Sequence, residues 1–324
     1  MNKLPWPHAL VVAVICVALS SGAHARTVSY APEAMCVAPP ATSSIHADYH
    51  EQIAQTSRGP LAYYRFGHGS PLLLVTGYRA TVSEWNAAFL AELAKHHDVI
   101  VFDNRGVGRS MPDASSFTID DMASDTAALI DNLALKHATV IGWSMGASIV
   151  QQLAIDKPQA IGKMVLMSAL PPGRSGVPVP ANVMAKLSGK PGVTFNDIMA
   201  VLFPASSVKD AEQCFAKDRF NPPDYQSRAI PSVVADGQAA ALHAWETNDK
   251  AADALRSVHI NTLVLSGSDD AVADPQNAIA LTHLLPDAHL LLVKHAGHAM
   301  MYEYPIALAH AIDSFASSRI ALPV

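Results

Sequence analysis

Charge is scarce in this sequence. Only 15% of its 324 residues are Asp, Glu, Lys or Arg, and the formal charge is −6. No basic cluster is present to neutralise phosphates, so nucleic acid is not an expected partner. No long run of like charges suggests a solvated tail. Neither an internal repeat nor a low-complexity tract is visible, which argues against a solenoid. No apolar run is long enough to span a bilayer comfortably; the longest, residues 9–19, falls short of the required length. Cysteine is scarce too, with three in the chain: Cys16, Cys36 and Cys214. Half of the residues are hydrophobic. That is enough for one large core or two modest ones, and it excludes disorder as the general state.

The N-terminus has its own character. Lys3 precedes the apolar stretch 9–19, and Ala23-His24-Ala25 follows with small residues at cleavage spacing. This is the pattern of a secretory signal peptide, residues 1–25, removed after Ala25. A secreted or periplasmic protein is expected, with an uncleaved membrane anchor as the alternative. After removal no stable membrane insertion is expected. Cleavage would leave Cys36 and Cys214. An oxidising compartment permits a disulfide between them, while two unrelated buried thiols is the competing reading. Residues 26–57 are mixed and proline-containing, and read as a surface extension without structure of its own.

Beyond residue 58 short apolar runs alternate with helical periodicity. Strands are expected at 61–66, 71–75, 98–102, 138–141, 163–167, 261–266 and 289–293, with helices over 83–95, 118–135, 148–155, 275–285 and the last segment. Such alternation means a mostly parallel sheet covered by helices on both faces, with sites at the carboxyl ends of the strands. Residues 171–257 interrupt the rhythm with prolines and helical stretches, and read as a mostly helical insertion over that edge. The core halves are then 58–170 and 258–324.

One turn has chemical content. Gly142-Trp143-Ser144-Met145-Gly146 follows a strand and precedes a helix. A serine at the apex of such a turn is strained, and glycines two residues before and after relieve the crowding. The turn presents the Ser144 hydroxyl, with the unpaired N–H groups of the next helix beside it. A serine needs a base, and the base needs a carboxylate to fix its tautomer. Downstream, Asp269 and Asp270 lie after a strand, and His295 and His298 after the next. The Asp103–Ser110 turn reads as loop bracing. It lacks the third glycine of a dinucleotide fingerprint, so NAD is rejected, and no His-Glu-x-x-His motif suggests a metal.

Together, the turn at Ser144, Asp103 to Ser110, Ser266 to Asp270 and Ala296-Gly297-His298 resemble the landmarks of the α/β-hydrolase superfamily. The resemblance covers roughly residues 58–316 and implies an α/β fold with a helical cap. It places the nucleophile at Ser144, the acid at Asp270, third after Gly267, and the base at His298, after Gly297. It also places oxyanion donors at the backbone N–H groups of Met145 and Tyr78, although Thr76-Gly77 stands where many members have His-Gly. Trp143, Met145, Met184, Phe195, Met199 and Trp245 are candidates for an apolar acyl pocket or for plain core. The expected activity is hydrolysis of an ester or related acyl bond in a small molecule, without a cofactor. Acyl transfer, peptide hydrolysis, C–C bond hydrolysis, perhydrolysis and a binding protein with a vestigial site stay open, as does the oligomeric state.

Overall fold

The computed structural model describes residues 15–16, 24–31, 33, 35–36, 49–226 and 229–318. Its sheet contains β1 (Ile15–Cys16), β2 (His24–Val28), β3 (Gln52–Thr56), β4 (Gly59–Gly67), β5 (Ser70–Val75) and β6 (His97–Phe102). It continues through β7 (Thr139–Trp143), β8 (Lys163–Met167), β9 (Thr262–Gly267) and β10 (Ala288–Val293). Among the described residues the strand order is β1-β2-β10-β9-β8-β7-β5-β6-β4-β3. From β2 to β6 neighbouring strands are parallel, and β4, β3 and β1 join antiparallel. This is an α/β-hydrolase fold: a mostly parallel sheet flanked by helices.

Period-2 alternation within buried strands divides the core. On β5, Leu73 and Val75 point to one face and Leu72 and Leu74 to the other, all fully buried. The first face is covered by α2 (Ile119–Asn132), α3 (Met145–Asp156) and α9 (Pro275–Leu284), through residues such as Met122, Leu153 and Leu281. The second is covered by α1 (Ala87–Leu93) and α11 (Pro305–Ser317), through Phe89, Leu308 and Ile312. Burial of both faces explains why the central strands read as continuous apolar runs. Local signals also act as expected. Thr118 accepts from the N–H of Asp121 and so caps α2. The helix expected over 83–95 is instead a short 3-10 turn, Val82–Glu84, followed by α1; Asn86 caps α1 by accepting from Phe89 N–H at 2.8 Å.

The reading of 26–57 as a surface extension without structure of its own is corrected in part, because two segments of it join the sheet. Gln52–Thr56 is a strand paired antiparallel with β4, and His24–Val28 runs parallel to β10. β3 is an edge strand in which only Ala54 is buried, so it carries almost no hydrophobic pattern. Its partner, not its composition, makes it a strand. Most of the signal-peptide reading falls outside the described residues. Ala25, the residue before the expected cleavage point, pairs with Leu290; Arg26 to Val28 continue the strand.

Over residues 171–257 the described elements are helical: α4 (Ala181–Leu187), α5 (Phe195–Leu202), α6 (Val208–Asp218), α7 (Ser232–Glu246) and α8 (Asp249–Leu255). Two of them join the body of the fold. Leu242 and Trp245 of α7 and Leu255 of α8 belong to the same core face as α3. No described helix is long and apolar enough to cross a membrane.

Cys36 and Cys214 are bonded, with Cα atoms 5.0 Å apart and 178 positions apart in sequence. Beside the bond, the Asp218 carboxylate accepts from the Cys36 N–H at 2.8 Å. Closing so long a loop stabilises by about 5 kcal/mol in the chain-entropy model. Thiol alkylation checks the bond directly. The reduced unfolded chain should take two more labels than the unreduced chain, counted by mass. Equal labelling of the two would show the bond absent.

Candidate active site

Ser144 sits between β7 and α3 with φ 57° and ψ −123°, outside the regions a non-glycine residue ordinarily adopts. Crowding around it explains its neighbours. A Cβ on Gly142 would lie 2.4 Å from the Gly146 carbonyl oxygen, and one on Gly146 would lie 2.1 Å from the Val75 oxygen. Both positions therefore demand glycine. The backbone is held in this shape by the Ser144 N–H donating to Met167 O at 2.9 Å. The serine is half-buried, while Met145 beside it is wholly buried at the start of α3.

The loop after β5 closes against this turn. A Cβ on Gly77 would lie 3.2 Å from Ser144 Cβ, so Tyr78 follows immediately after a point of near contact. Two residues brace that loop: one from the Asp103–Ser110 turn and one from the cap. Asn104 Nδ2 donates to both the oxygen and the hydroxyl of Thr76, at 3.2 and 3.1 Å. Gln238 of α7 accepts from the Arg79 N–H at 2.9 Å. The bracing role expected of the Asp103–Ser110 turn takes a specific form. Asp103 accepts from Val82 N–H at 2.7 Å, and Arg105 binds Asp125 through both nitrogen arms. Burial pushes the Asp103 carboxyl up to about 7.

Asp270 and His298 come together on the same sheet edge. His298 Nδ1 lies 3.0 Å from both oxygens of Asp270. Asp270 Oδ1 also accepts from the N–H groups of Val272 and Ala273, at 2.9 and 2.8 Å. Both side chains are buried, and this orients the ring so that its other nitrogen is left for chemistry. Their sequence neighbours differ. Asp269 and His295 are exposed side chains 3.8 Å apart at the surface. The His298 carbonyl accepts from Trp143 Nε1 and Ser168 Oγ, each at 3.0 Å, tying the histidine to the strand that ends in Ser144.

Glu303, on the short helix α10 (Met300–Glu303), touches the His298 turn and was missed by the sequence reading. Its Oε2 accepts from Gly297 N–H at 2.7 Å and its Oε1 from Ser207 Oγ at 2.8 Å. It therefore joins the turn carrying His298 to the start of α6. Burial raises its carboxyl to about 7, opposed by those two hydrogen bonds and assisted by the charges of Asp269 and Asp270. An acid between Tyr302 and Tyr304, five residues after His298, was the available signal.

Ser144 and His298 face one cavity of about 280 Å³. Tyr78, Trp143, Phe195 and Met199 also line it, whereas Met184, Met145 and Trp245 are not on its wall. Met145 is core, and Trp245 Nε1 donates to Leu170 O at 3.2 Å within the body of the fold. The half-buried Tyr78 phenol is pushed up, chiefly by burial. Among the described residues no group of three or more His, Cys, Asp or Glu is arranged to hold a metal ion.

Strand order, turn and cavity define a class, and comparison with known proteins agrees with it. Residues 70–305 match the family model for the alpha/beta hydrolase fold, so the chain belongs to that family. A "Putative non-heme bromoperoxidase BpoC" from Mycobacterium tuberculosis is 30% identical over 282 residues, covering 80% of this chain and 98% of the relative. Rhodomycin D methylesterase DnrP from Streptomyces peucetius is 28% identical, covering 75% and 89%. An alpha/beta hydrolase fold protein from Chitinophaga pinensis superimposes with a TM-score of 0.71 at 24% identity, over 84% of this chain and 99% of that one. Together these mark the protein as a hydrolase of this fold.

The buried Glu303 carboxyl gives a stability prediction. Its folded-state value, about 7, lies above its ordinary 4.5. The folded form therefore holds the proton more tightly, and its contribution to stability is present at low pH and lost as pH rises toward 7. Glu303→Gln keeps an acceptor for Gly297 and removes the titration. Between about pH 5 and pH 8 the parent should lose up to ~3 kcal/mol more stability than the variant in urea unfolding. Parallel losses in the two proteins would show that Glu303 does not titrate in this range.

Proposed function

We propose that this protein is an exported serine hydrolase that cleaves an ester or a related acyl bond through an acyl-enzyme on Ser144. The observation that carries the proposal is the buried Asp270–His298 pair on the same cavity as a serine held at positive φ. A methylesterase among the relatives supports ester chemistry. The signal-like segment 1–25 supports export.

In the first half-reaction His298 takes the Ser144 proton as the hydroxyl oxygen attacks the acyl carbon. Asp270 holds the ring's orientation and offsets the charge of the imidazolium. The negative oxygen that develops is received by the N–H groups of Met145 and Tyr78, which are preorganised donors. The tetrahedral species collapses, the bond to the alcohol breaks, and the proton on His298 passes to the leaving oxygen. In the second half, water attacks the acyl-enzyme with His298 again as base. Ser144 is regenerated and the acid released.

A fluorophosphonate probe tests the serine directly, since only an activated nucleophile reacts with it. The protein should be labelled once, and Ser144→Ala should abolish labelling. Turnover of a simple ester should fall on the order of 10³-fold or more in Ser144→Ala and in His298→Ala. The double variant should be little worse, because these groups act as a unit. Asp270→Asn should be far more damaging than Asp269→Asn. A parent protein that the probe leaves unlabelled would instead fit a binding role.

A further inference from the structure

The cavity beside Ser144 has an apolar wall formed by Leu187, Phe195, Ile198, Met199, Leu202 and Phe215. Three charged residues also line it: Arg79, Glu84 and Arg219. Two of the three are already engaged. Arg79 Nη1 donates to the Ser188 carbonyl. Glu84 Oε2 accepts from the N–H and the hydroxyl of Thr81, each at 2.6 Å. Arg219 is different. Among the described residues its guanidinium makes no hydrogen bond and no ion pair. It lies near enough to Glu84 to pull that carboxyl's pKa down against the rise caused by burial, yet without the contact of a salt bridge.

A half-buried guanidinium with its donors unused is costly. It has lost part of its hydration and gained no partner. Its backbone is nevertheless fixed. Arg219 follows α6 directly, forms an antiparallel backbone bridge with Asn86, and precedes Phe220, whose N–H donates to Trp85 O at 2.7 Å. The disulfide at Cys214 and the Asp218–Cys36 hydrogen bond hold the same helix end. The cation is thus presented from a rigid support, as recognition residues are. What the planar, five-donor fork fits best is a carboxylate, bound through two parallel hydrogen bonds.

We propose that Arg219 is a substrate-recognition residue and that the preferred ester carries a free carboxylate. The apolar wall takes the connecting chain, and Arg219 takes the anionic end. This inference rests on the serine-hydrolase reading above. It adds the substrate class: a monoester of a dicarboxylic acid if the carboxylate is on the acyl side, or an ester of a carboxylate-bearing alcohol if it is on the other. Arg79 and Arg219 together outweigh the charge of Glu84, so the wall favours an anion.

Two matched pairs of esters test it. One compares 4-nitrophenyl pentanoate with the 4-nitrophenyl monoester of glutaric acid, which has the same chain length and ends in a carboxylate. The other compares phenyl butanoate with 4-carboxyphenyl butanoate. In one pair the parent enzyme should favour the carboxylate member by about 10- to 100-fold in kcat/KM, expressed mainly in KM. Which pair responds identifies the side that carries the anion. In Arg219→Gln the ratio between the members should fall to about one, and Arg219→Lys should retain part of it. Glutarate should also slow fluorophosphonate labelling of the parent and not of Arg219→Gln, a binding readout that needs no turnover. A parent enzyme that is labelled but prefers the neutral member of both pairs overturns the Arg219 inference alone. So does a carboxylate preference that survives in Arg219→Gln. A parent that is not labelled overturns the hydrolase reading and this inference with it.

Discussion

The steric crush at Ser144 is the constraint on which the site depends. A side chain at φ 57° is tolerated only because the surrounding backbone leaves no other course. β7 ends against β8, α3 begins at once, and the strand carrying Val75 presses on Gly146 from below. The same closeness brings the Gly77 loop against the serine. Nucleophile, helix start and neighbouring loop are therefore products of one packing event. Loosening it would disturb all three together.

The second half of the site is held by polar ties rather than by sterics. The His298 turn is fastened to Trp143 and Ser168 through its carbonyl, to Asp270 through its ring, and to Ser207 through Glu303. The Ser207 tie reaches into the cap. So does the disulfide, which joins the N-terminal segment to α6, the helix that supplies Phe215 to the cavity and leads into Arg219. Phe215 in turn stacks on Tyr302, beside Glu303, with ring centres 4.5 Å apart. The cap is thus a braced wall at this end. Specificity there is better placed on rigid residues than on a mobile lid.

Much of the fold was legible because its strands are buried on both faces. Leu72 to Val75 and Thr139 to Trp143 had to read as apolar runs, and glycine-rich turns had to follow them. What escaped were elements whose identity lies in a partner. β3 buries one residue, and β2 is a strand because it pairs with β10. Gln238 and Glu303 escaped for a related reason. A hydrogen bond between residues far apart in sequence leaves no local pattern. The apolar pocket was only partly legible. Phe195 and Met199 reach it, but Trp245 and Met184 have the same hydrophobicity and lie elsewhere.

The sequence by itself determined the alternation of strand and helix, and with it the edge on which the functional loops gather. It also determined the strained turn, since only glycine fits at positions 142 and 146. Hydrophobic period and spacing left two adjacent acids and two nearby histidines open; the family resemblance pointed to Asp270 and His298, and the tertiary structure brings that pair together. Asp270 and Asp269 differ by one residue in sequence, yet one is buried against His298 and the other faces solvent. Only the fold could bring Cys36 within bonding reach of Cys214, or, among the described residues, leave the guanidinium of the cavity-lining Arg219 without a hydrogen bond or ion pair. The physical reason is range. Backbone preferences and hydrophobic period act over a few residues and are written locally. Ion pairing, desolvation and cavity shape depend on which distant groups come within a few ångströms, and packing settles that.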